Sequence, residues 1–455
     1  MSTRSLRGCL LAGALLLSAG LADAGESPQF VIRDVTLLDG TGSAPRPGVS
    51  VWISGERVVA VQPGGAPVPA GASVVEGAGR FLIPGLIDTH VHVQGGRVAR
   101  PGVPGTSVDR ALALRTLQAY LYCGVTSVFD SGNNADFIFG LRAEERAGTL
   151  LAPRIFATGA NITAPQGYGD NAFSIKVSSL EADRARLEAH FDRQPDLQKI
   201  LYDRLGTFGT PAAAVLSQDN LKGVIALAHA RGIPTTVHTS TEWDSLAVLE
   251  AGIDAFAHPV RAAVTPAFAQ ALAERRIPVS TTLAVFGHIA RVADDPGFLD
   301  APLFRATVDP AELAFLRNEE RQRYIASGMS AQFKVMNPHL ARTVKRLHEA
   351  GVPLALGTDR TLGASVHMEL ELLAQAGIPL PDLLRIATLN GARYLRREGE
   401  LGSIEPGKLA DMVLLKADPT RDVAAYQTIE AVFKGGRRID LGALGIPVNE
   451  KRRSR

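Results

Sequence analysis

Cysteine is nearly missing: the 455 residues contain two, Cys9 and Cys123. Cys9 stands before most of a short apolar run, "LLAGALLLSAG", which follows Arg4 and Arg7 and ends near Ala22-Asp23-Ala24. A positive start, a short apolar core and a small-x-small end predict a secretory signal peptide over residues 1–24. The expected location is therefore periplasmic or secreted. With Cys9 removed, no intrachain disulfide is possible, so an exported chain would rely on its core alone.

Two further absences narrow the class. No apolar run reaches the roughly 20 residues that span a bilayer, so no stable membrane insertion is expected after signal cleavage. Charge of one sign is not in excess: 48 Lys and Arg face 46 Asp and Glu, for a net +2. The one basic block, "KRRSR", is at the extreme C-terminus and reads as a frayed tail, so nucleic acid is not an expected partner. Hydrophobic residues make up 46% of the chain, enough for a sizeable core.

Residues 30–80 read as short alternating strands punctuated by glycine and proline, as in "FVIRDVTLLDG" and "VSVWISGERVVAVQ". "DMVLLKA" and "IEAVFKGGRRID" read alike near the other end. One small β domain built from both chain ends, 25–83 with 397–455, follows. Between them a weak repeat recurs. A helical stretch ends in a small residue or Arg, and a β-branched residue and a short apolar strand follow, as in "YCGVTSVFD", "ARGIPTTVH", "EAGIDAFAH", "ERRIPVSTT" and "EAGVPLALGTD". With "GLIDTHVH", "RIFATG" and "KILYDR" there are eight strand candidates. Amphipathic stretches at 108–122, 217–230, 242–250, 265–275 and 340–350 fall between them. The expected fold is α/β: a (β/α)8 TIM-like barrel over 84–396 with a small β-sandwich domain.

Active sites of such barrels sit at the C-terminal ends of the strands. There the sequence places His90 and His92, His238, His258 and Asp359, four of its ten histidines among them. His90 and His92 are two apart on a strand, so they share a face and can chelate a metal such as zinc. Two polar residues at a strand end would be the plainer reading. Lys199 lies inside an apolar strand. A buried ammonium tends to lose its proton, and a neutral amine can take up carbon dioxide as a carbamate. A salt bridge to Asp203 or Asp359 would explain it as well. Asp359 can ligate a metal and accept a proton, or cap the next helix. His190, His229 and His348 fall on predicted outer helices, and His339 at a helix start. His288 and His367 are candidates to line the pocket.

Together, "GLIDTHVH", the strand-four lysine, the single histidines closing strands five and six, and "GTD" resemble the amidohydrolase superfamily. "RIATLNGARYLRREGELGSIEPGKLADMVLLKADP" resembles the tail of its imidazolonepropionase and Xaa-Pro or Xaa-Arg dipeptidase branch. The resemblance implies two divalent metals, usually zinc. His90, His92 and Asp359 would hold the buried one and His238 and His258 the exposed one. Carboxylated Lys199 would bridge them, a hydroxide would be the nucleophile, and Asp359 would be the proton shuttle. It implies a small-molecule substrate and hydrolysis of an amide bond in a dipeptide, N-acyl amino acid or cyclic amide. An ester, lactone or phosphoester would suit the same machinery. A binding protein that lost catalysis should lack ligands, whereas all six positions are filled. A homo-oligomer is compatible with the sequence.

The chain also departs from that branch. "ITAPQGYGDN" stands where a Gly-Gly-His-Gly-like loop is common, with Tyr168 in place of a histidine. Tyr168, Tyr202 and Arg360 are candidate substrate contacts. Arg360 would bind a substrate carboxylate or pair with a local acid. Residues 284–338 are too long for a simple loop and are expected to contain helices that cover the site.

Overall fold

The computed structural model describes residues 29–93, 108–205 and 213–447. The expected signal peptide and the basic tail lie outside them. The chain begins with β1 (Phe30–Leu37), β2 (Arg46–Ser54), β3 (Arg57–Pro63), β4 (Ser73–Glu76) and β5 (Phe81–Pro84). Ten parallel strands follow: β6 (Leu86–Val91), β7 (Val125–Asp130), β8 (Arg154–Ala157), β9 (Ile162–Thr163), β10 (Ile175–Lys176), β11 (Gln198–Leu201), β12 (Thr235–His238), β13 (Ala255–Phe256), β14 (Val279–Ser280) and β15 (Leu354–Ala355). The last three are β16 (Met412–Leu415), β17 (Ile429–Lys434) and β18 (Arg437–Arg438).

The eight strands of the two chain ends form one sheet in the order β18-β17-β16-β5-β1-β2-β3, with β4 also on β1. The expected sandwich is thus a single continuous sheet. Val58 of β3 and Phe433 of β17, far apart in strand order, share a core with Ile32, Val51 and Leu414, so the sheet curls over it. The turning point is Asp34, whose φ of 57° breaks β1. Residues 30–33 then pair with β4 and residues 36–37 with β5. The two ends meet where β5 and β16 pair, Ile83 opposite Val413.

The barrel strands are β6, β7, β8, β11, β12, β13, β14 and β15, as the eight candidates anticipate. They form two hydrogen-bonded groups, β6-β7-β8 and β11 to β15, with β9 and β10 extending the second group beside β11. Both seams are stitched. The Thr89 N–H donates to Leu356 O at 2.8 Å, and the Asp359 N–H to His90 O at 2.7 Å. At the other seam the Asp196 N–H donates to Ala157 O at 2.9 Å, and the Lys199 N–H to Thr158 Oγ1 at 2.7 Å. Inside, Ile87, Phe129, Phe156, Ala255 and Ala355 pack with Ala392 and Tyr394 of the helix Leu389–Tyr394. The interior is filled rather than open, as expected of eight strands.

Helix ends explain the repeat. Helices Arg110–Tyr122, Gln218–His229, Glu242–Glu250 and Pro266–Glu274 are capped by Asp109, Ser217, Thr241 and Thr265, whose side chains accept backbone N–H groups. The residue that turns the chain back into a strand needs a left-handed backbone. Gly232, at φ 70°, meets this without strain. In "ERRIP" Arg276 takes the same conformation at φ 52°, so a non-glycine residue carries the strain there.

One helix corrects the sequence reading. His339 does not start a helix, because Met329–Glu349 runs through Pro338. Its Nδ1 lies 2.9 Å from Arg342 Nη2. Pro338 removes one N–H bond, yet Phe333, Leu340, Val344 and Leu347 keep a buried face on both sides of it, and that packing outweighs the break. Among the described residues no helix is long and apolar enough to cross a membrane.

The small domain is tied to the barrel by buried ions. Arg154 at the start of β8 grips Asp411 with Nε to Oδ2 at 2.7 Å and Nη2 to Oδ1 at 3.1 Å. Lys434 Nζ donates to Glu145 Oε1 at 2.6 Å. The Asp411 side chain is 4% exposed, so removing its partner strands a buried charge. Arg154→Leu is expected to cost about 3 kcal/mol in chemical denaturation. A loss below about 1 kcal/mol would mean the pair is not a clamp.

Candidate metal centre and its cavity

The seam between β15 and β6 builds the centre. Asp88 in β6 accepts from the His90 N–H at 3.1 Å, the Thr358 N–H at 3.0 Å and Thr358 Oγ1 at 2.7 Å, which binds the two strand ends together. Burial pushes its carboxyl up to about 8, against those hydrogen bonds. Gly357 allows the close approach, because a Cβ there would fall 2.0 Å from Ser280 Oγ and 3.0 Å from His90 Cβ. Asp359 then enters the left-handed region at φ 51°, a strained backbone that turns its carboxylate toward the histidines.

His90, His92 and Asp359 are all buried, and their donor atoms lie within 4.8 Å of one another. Asp359 Oδ1 is 3.1 Å from His92 Nε2 and 3.6 Å from His90 Nε2. Lys199 Nζ is 3.4 Å from His90 Nε2. The His258 ring stands 4.5 Å from that of His90 and 4.6 Å from that of His238. The six residues that the sequence nominates as ligands are thus brought together from β6, β11 and β12 and from the segments just after β6, β13 and β15.

The chemistry of this set fits a metal. Each imidazole is anchored through one nitrogen and offers the other. His90 Nδ1 is 2.9 Å from Ala257 O, and His92 Nδ1 is 3.1 Å from Gly132 O. His258 Nδ1 is 3.0 Å from Thr282 Oγ1, and His238 Nε2 is 3.0 Å from Asp203 Oδ2. Anchoring of this kind fixes the tautomer and raises ligand basicity. Burial, with the Lys199 charge adding to it, holds His90 well below the ordinary histidine range. Burial also lowers His258, helped by the neighbouring His90 and His238. Burial brings His238 down to about 4 against the pull of Asp203. Neutral imidazoles keep the lone pair a metal needs. His92 Nε2 is buried and makes no hydrogen bond, which suits a ligand atom aimed at a cation.

Several supporting residues were not singled out in the sequence for these roles. Asp203 also accepts from Ser240 Oγ and lies 3.7 Å from Arg261 Nη2. Burial would raise its carboxyl, but the His238 hydrogen bond and charge, the Ser240 hydrogen bond and the Arg261 charge together outweigh that and hold it well below the usual range. Asp130 accepts from the Val93 N–H at 2.8 Å and the Gly132 N–H at 3.1 Å, fixing the carbonyl that holds His92. Thr282, at φ 41°, begins the helix Leu283–Asp294, whose first N–H groups are accepted by buried Glu369. Period-two reading of "DTHVH" puts Asp88 on the face of His90 and His92 and so offers a signal. The others carry none, since their partners are remote in sequence.

A cavity of about 950 Å³ opens on the centre. His92, Asp359 and Arg360 line it, with Asn161, Tyr168 and Gly169 from the loop after β8. Tyr168 stacks on His238 at 4.5 Å between ring centres and 16° between planes. Tyr202 is placed apart from this cavity. It is buried, and its hydroxyl accepts from Arg204 Nη2 at 3.1 Å and Gln218 Nε2 at 3.0 Å. The insertion is helical, with Pro302–Thr307, Pro310–Phe315, Arg321–Ala326 and a π-helical turn Leu316–Glu320. It covers the cavity through residues such as Phe315, Glu320 and Tyr324. His190 binds Thr158 O and Gln198 Oε1, His229 pairs with Asp254 and His348 with Asp382. His367 is buried against Cys123 O and His288 beside Glu320, and neither lines the cavity.

Asp203 offers a test of the anchoring. Asp203→Asn keeps the shape but weakens the acceptor of His238. Metal affinity, measured by competition with a chelator, is expected to fall about 10- to 100-fold. An unchanged affinity would show that His238 needs no carboxylate behind it.

Comparison with known proteins follows the same lines. The model of the amidohydrolase family matches residues 81–439. The chain is 24% identical over 224 residues to an adenine deaminase of Chelativorans sp. (strain BNC1), a match that takes in 48% of this chain and 33% of that protein. A structure of an Xaa-Pro dipeptidase with methionine bound in its active site superposes with a TM-score of 0.71 at 22% identity, over 90% of this chain and 99% of that one. A structure of phenylurea hydrolase B gives 0.70 at 23% identity, over 91% and 97%. With a family match from β5 through the whole barrel to the C-terminal strands, the chain belongs to the amidohydrolase family of metal-dependent hydrolases.

Proposed function

We propose that the protein is an exported hydrolase that cleaves the amide C–N bond of a dipeptide, an N-acyl amino acid or a cyclic amide. The observation that carries this reading is the buried cluster of His90, His92 and Asp359, with donor atoms within 4.8 Å, at the mouth of a cavity of about 950 Å³. Proteins of the same fold named as a dipeptidase and a phenylurea hydrolase support a C–N bond as the target.

His90, His92 and Asp359 would hold one divalent ion such as zinc, and His238 and His258 a second. Such ions, when bound, supply a Lewis acid for the substrate carbonyl and acidify water to near neutrality. Lys199 would join the two sites as a carbamate. Its neutral amine adds to the carbon of carbon dioxide, and the N–H proton leaves to solvent, giving an anion with two oxygen donors. The burial of Lys199 and its 3.4 Å approach to His90 Nε2 support this, because an ammonium there would repel any cation the histidines hold. Asp359 takes the proton of the attacking water and passes it to the leaving nitrogen. The strained backbone at Asp359 holds the carboxylate for both transfers.

Metal analysis of protein made with zinc and bicarbonate is expected to give about two divalent ions per chain. A value near one would remove the bridging role of Lys199. Lys199→Ala should lose most activity and part of the metal, with partial recovery on adding short-chain carboxylic acids. Asp359→Asn should lower turnover of N-acyl amino acids or dipeptides by about 10²- to 10⁴-fold, and survival of turnover would place the proton transfer elsewhere. Export is checked by the intact mass of protein from its native cells, which should lack residues 1–24. A mass that retains them would overturn it.

A further inference from the structure

One group of buried polar side chains has no place in the metal chemistry. Glu320 and His288 are fully buried, and His288 Nε2 lies 3.7 Å from Glu320 Oε2. Neither ring nitrogen of His288 makes a hydrogen bond, nor does Glu320 Oε2. Glu320 Oε1 is served by the Tyr324 hydroxyl at 2.8 Å and approached by Arg323 at 3.5 Å. Arg360, next to Asp359 in the chain, lines the same cavity as Glu320, and its buried Nε has no hydrogen-bond partner. Among the described residues no carboxylate lies within ion-pair distance of Arg360.

The local structure shows why an acid faces inward here. Glu320 ends the π-helical turn Leu316–Glu320, whose wider winding puts Leu316 and Glu320 on the buried side. The charge states follow from the surroundings. Burial would raise the Glu320 carboxyl, but His288, the Arg360 charge and Tyr324 outweigh it and hold it at about 2. Burial brings His288 down to about 4, with the Arg360 charge adding to it. At neutral pH the cavity wall thus carries a buried anion, backed by a neutral imidazole, and a guanidinium with an open donor. Arg323, 47% exposed, is screened by water and does not cancel the buried pair.

A guest that is only a carboxylate would satisfy Arg360 and be repelled by Glu320. A guest that is only a cation would meet the reverse. We infer that this wall is a specificity subsite for a net-neutral group that accepts from Arg360 and donates toward Glu320, such as a carboxamide or urea. This rests on the amide-hydrolase reading above and names the part of the substrate next to the cleaved bond. It replaces the simpler expectation that Arg360 binds a substrate carboxylate. Tyr324 is then a positioning residue that holds Glu320.

The test uses the metal-loaded protein and three small amides that share an acetyl group and differ in one end. These are N-acetylglycinamide, N-acetylglycine and N-acetylethylenediamine, neutral, anionic and cationic. Calorimetry is expected to show the neutral compound binding at least about tenfold more tightly than either ion, the scale of a hydrogen bond to a charged group. Glu320→Gln should shift the preference toward N-acetylglycine, and Arg360→Met toward N-acetylethylenediamine. Equal affinities, a preference of the unaltered protein for a charged end, or no binding of any of the three would overturn the inference. If a variant does not fold, the ranking by the unaltered protein decides alone. Release of acetate is scored separately. The neutral preference without acetate release would overturn the hydrolysis reading and keep the subsite. Acetate release without the preference would do the opposite.

Discussion

The closure of the last barrel strand onto the first is the constraint on which the site depends. Asp88 takes two hydrogen bonds from Thr358 across that seam and a third from His90 on its own strand, and the Asp359 N–H binds the carbonyl of His90. Residues some 270 positions apart in the chain are thereby set within ligand distance of one another. Nothing local could do this. The pairing requires a glycine at 357, a left-handed aspartate at 359 and a carboxylate buried at 88, each unfavourable where it stands. Their cost is offset by the packing of a filled barrel and a complete hydrogen-bond set.

Around that seam burial holds His90, His238 and His258 in the neutral form, and fixed acceptors orient all four histidines. The acceptors differ in kind: a carbonyl of β13's continuation for His90, a loop carbonyl for His92, a hydroxyl for His258 and a carboxylate for His238. The carboxylate behind His238 raises its basicity as a donor.

Beyond His92 and Asp359, the cavity is lined mostly by parts of the chain that do not build the centre. Barrel strand ends supply the candidate ligands, whereas much of the cavity wall comes from the helical insertion and the segments on either side of β9. This division allows one chemistry to be kept while the substrate changes, because the insertion can vary without touching the seam. The π-helical turn is the clearest mark of it, since it spends regular helix geometry to bring one acid inward.

Much of the site was legible in the sequence because its ligands sit at the ends of apolar runs, where alternation and barrel geometry give each residue a face and an end. The eight strands, the two-ended small domain and the gathering of His90, His92, Lys199, His238, His258 and Asp359 follow from patterns a few residues long. The curl of the small sheet was not legible, because it turns on one left-handed residue, Asp34. Nor was the helix through Pro338, where long-range packing outweighs a local break. Tyr202 shows the same limit: nearness in sequence to Lys199 did not put its hydroxyl in the cavity. The partners of the ligands, Asp203, Thr282 and the Ala257 carbonyl, and the meeting of His288, Glu320 and Arg360, were decided by tertiary structure alone. Side-chain chemistry and periodicity are written in the chain, but which distant groups share a buried volume is set only when the barrel closes and the insertion folds over it.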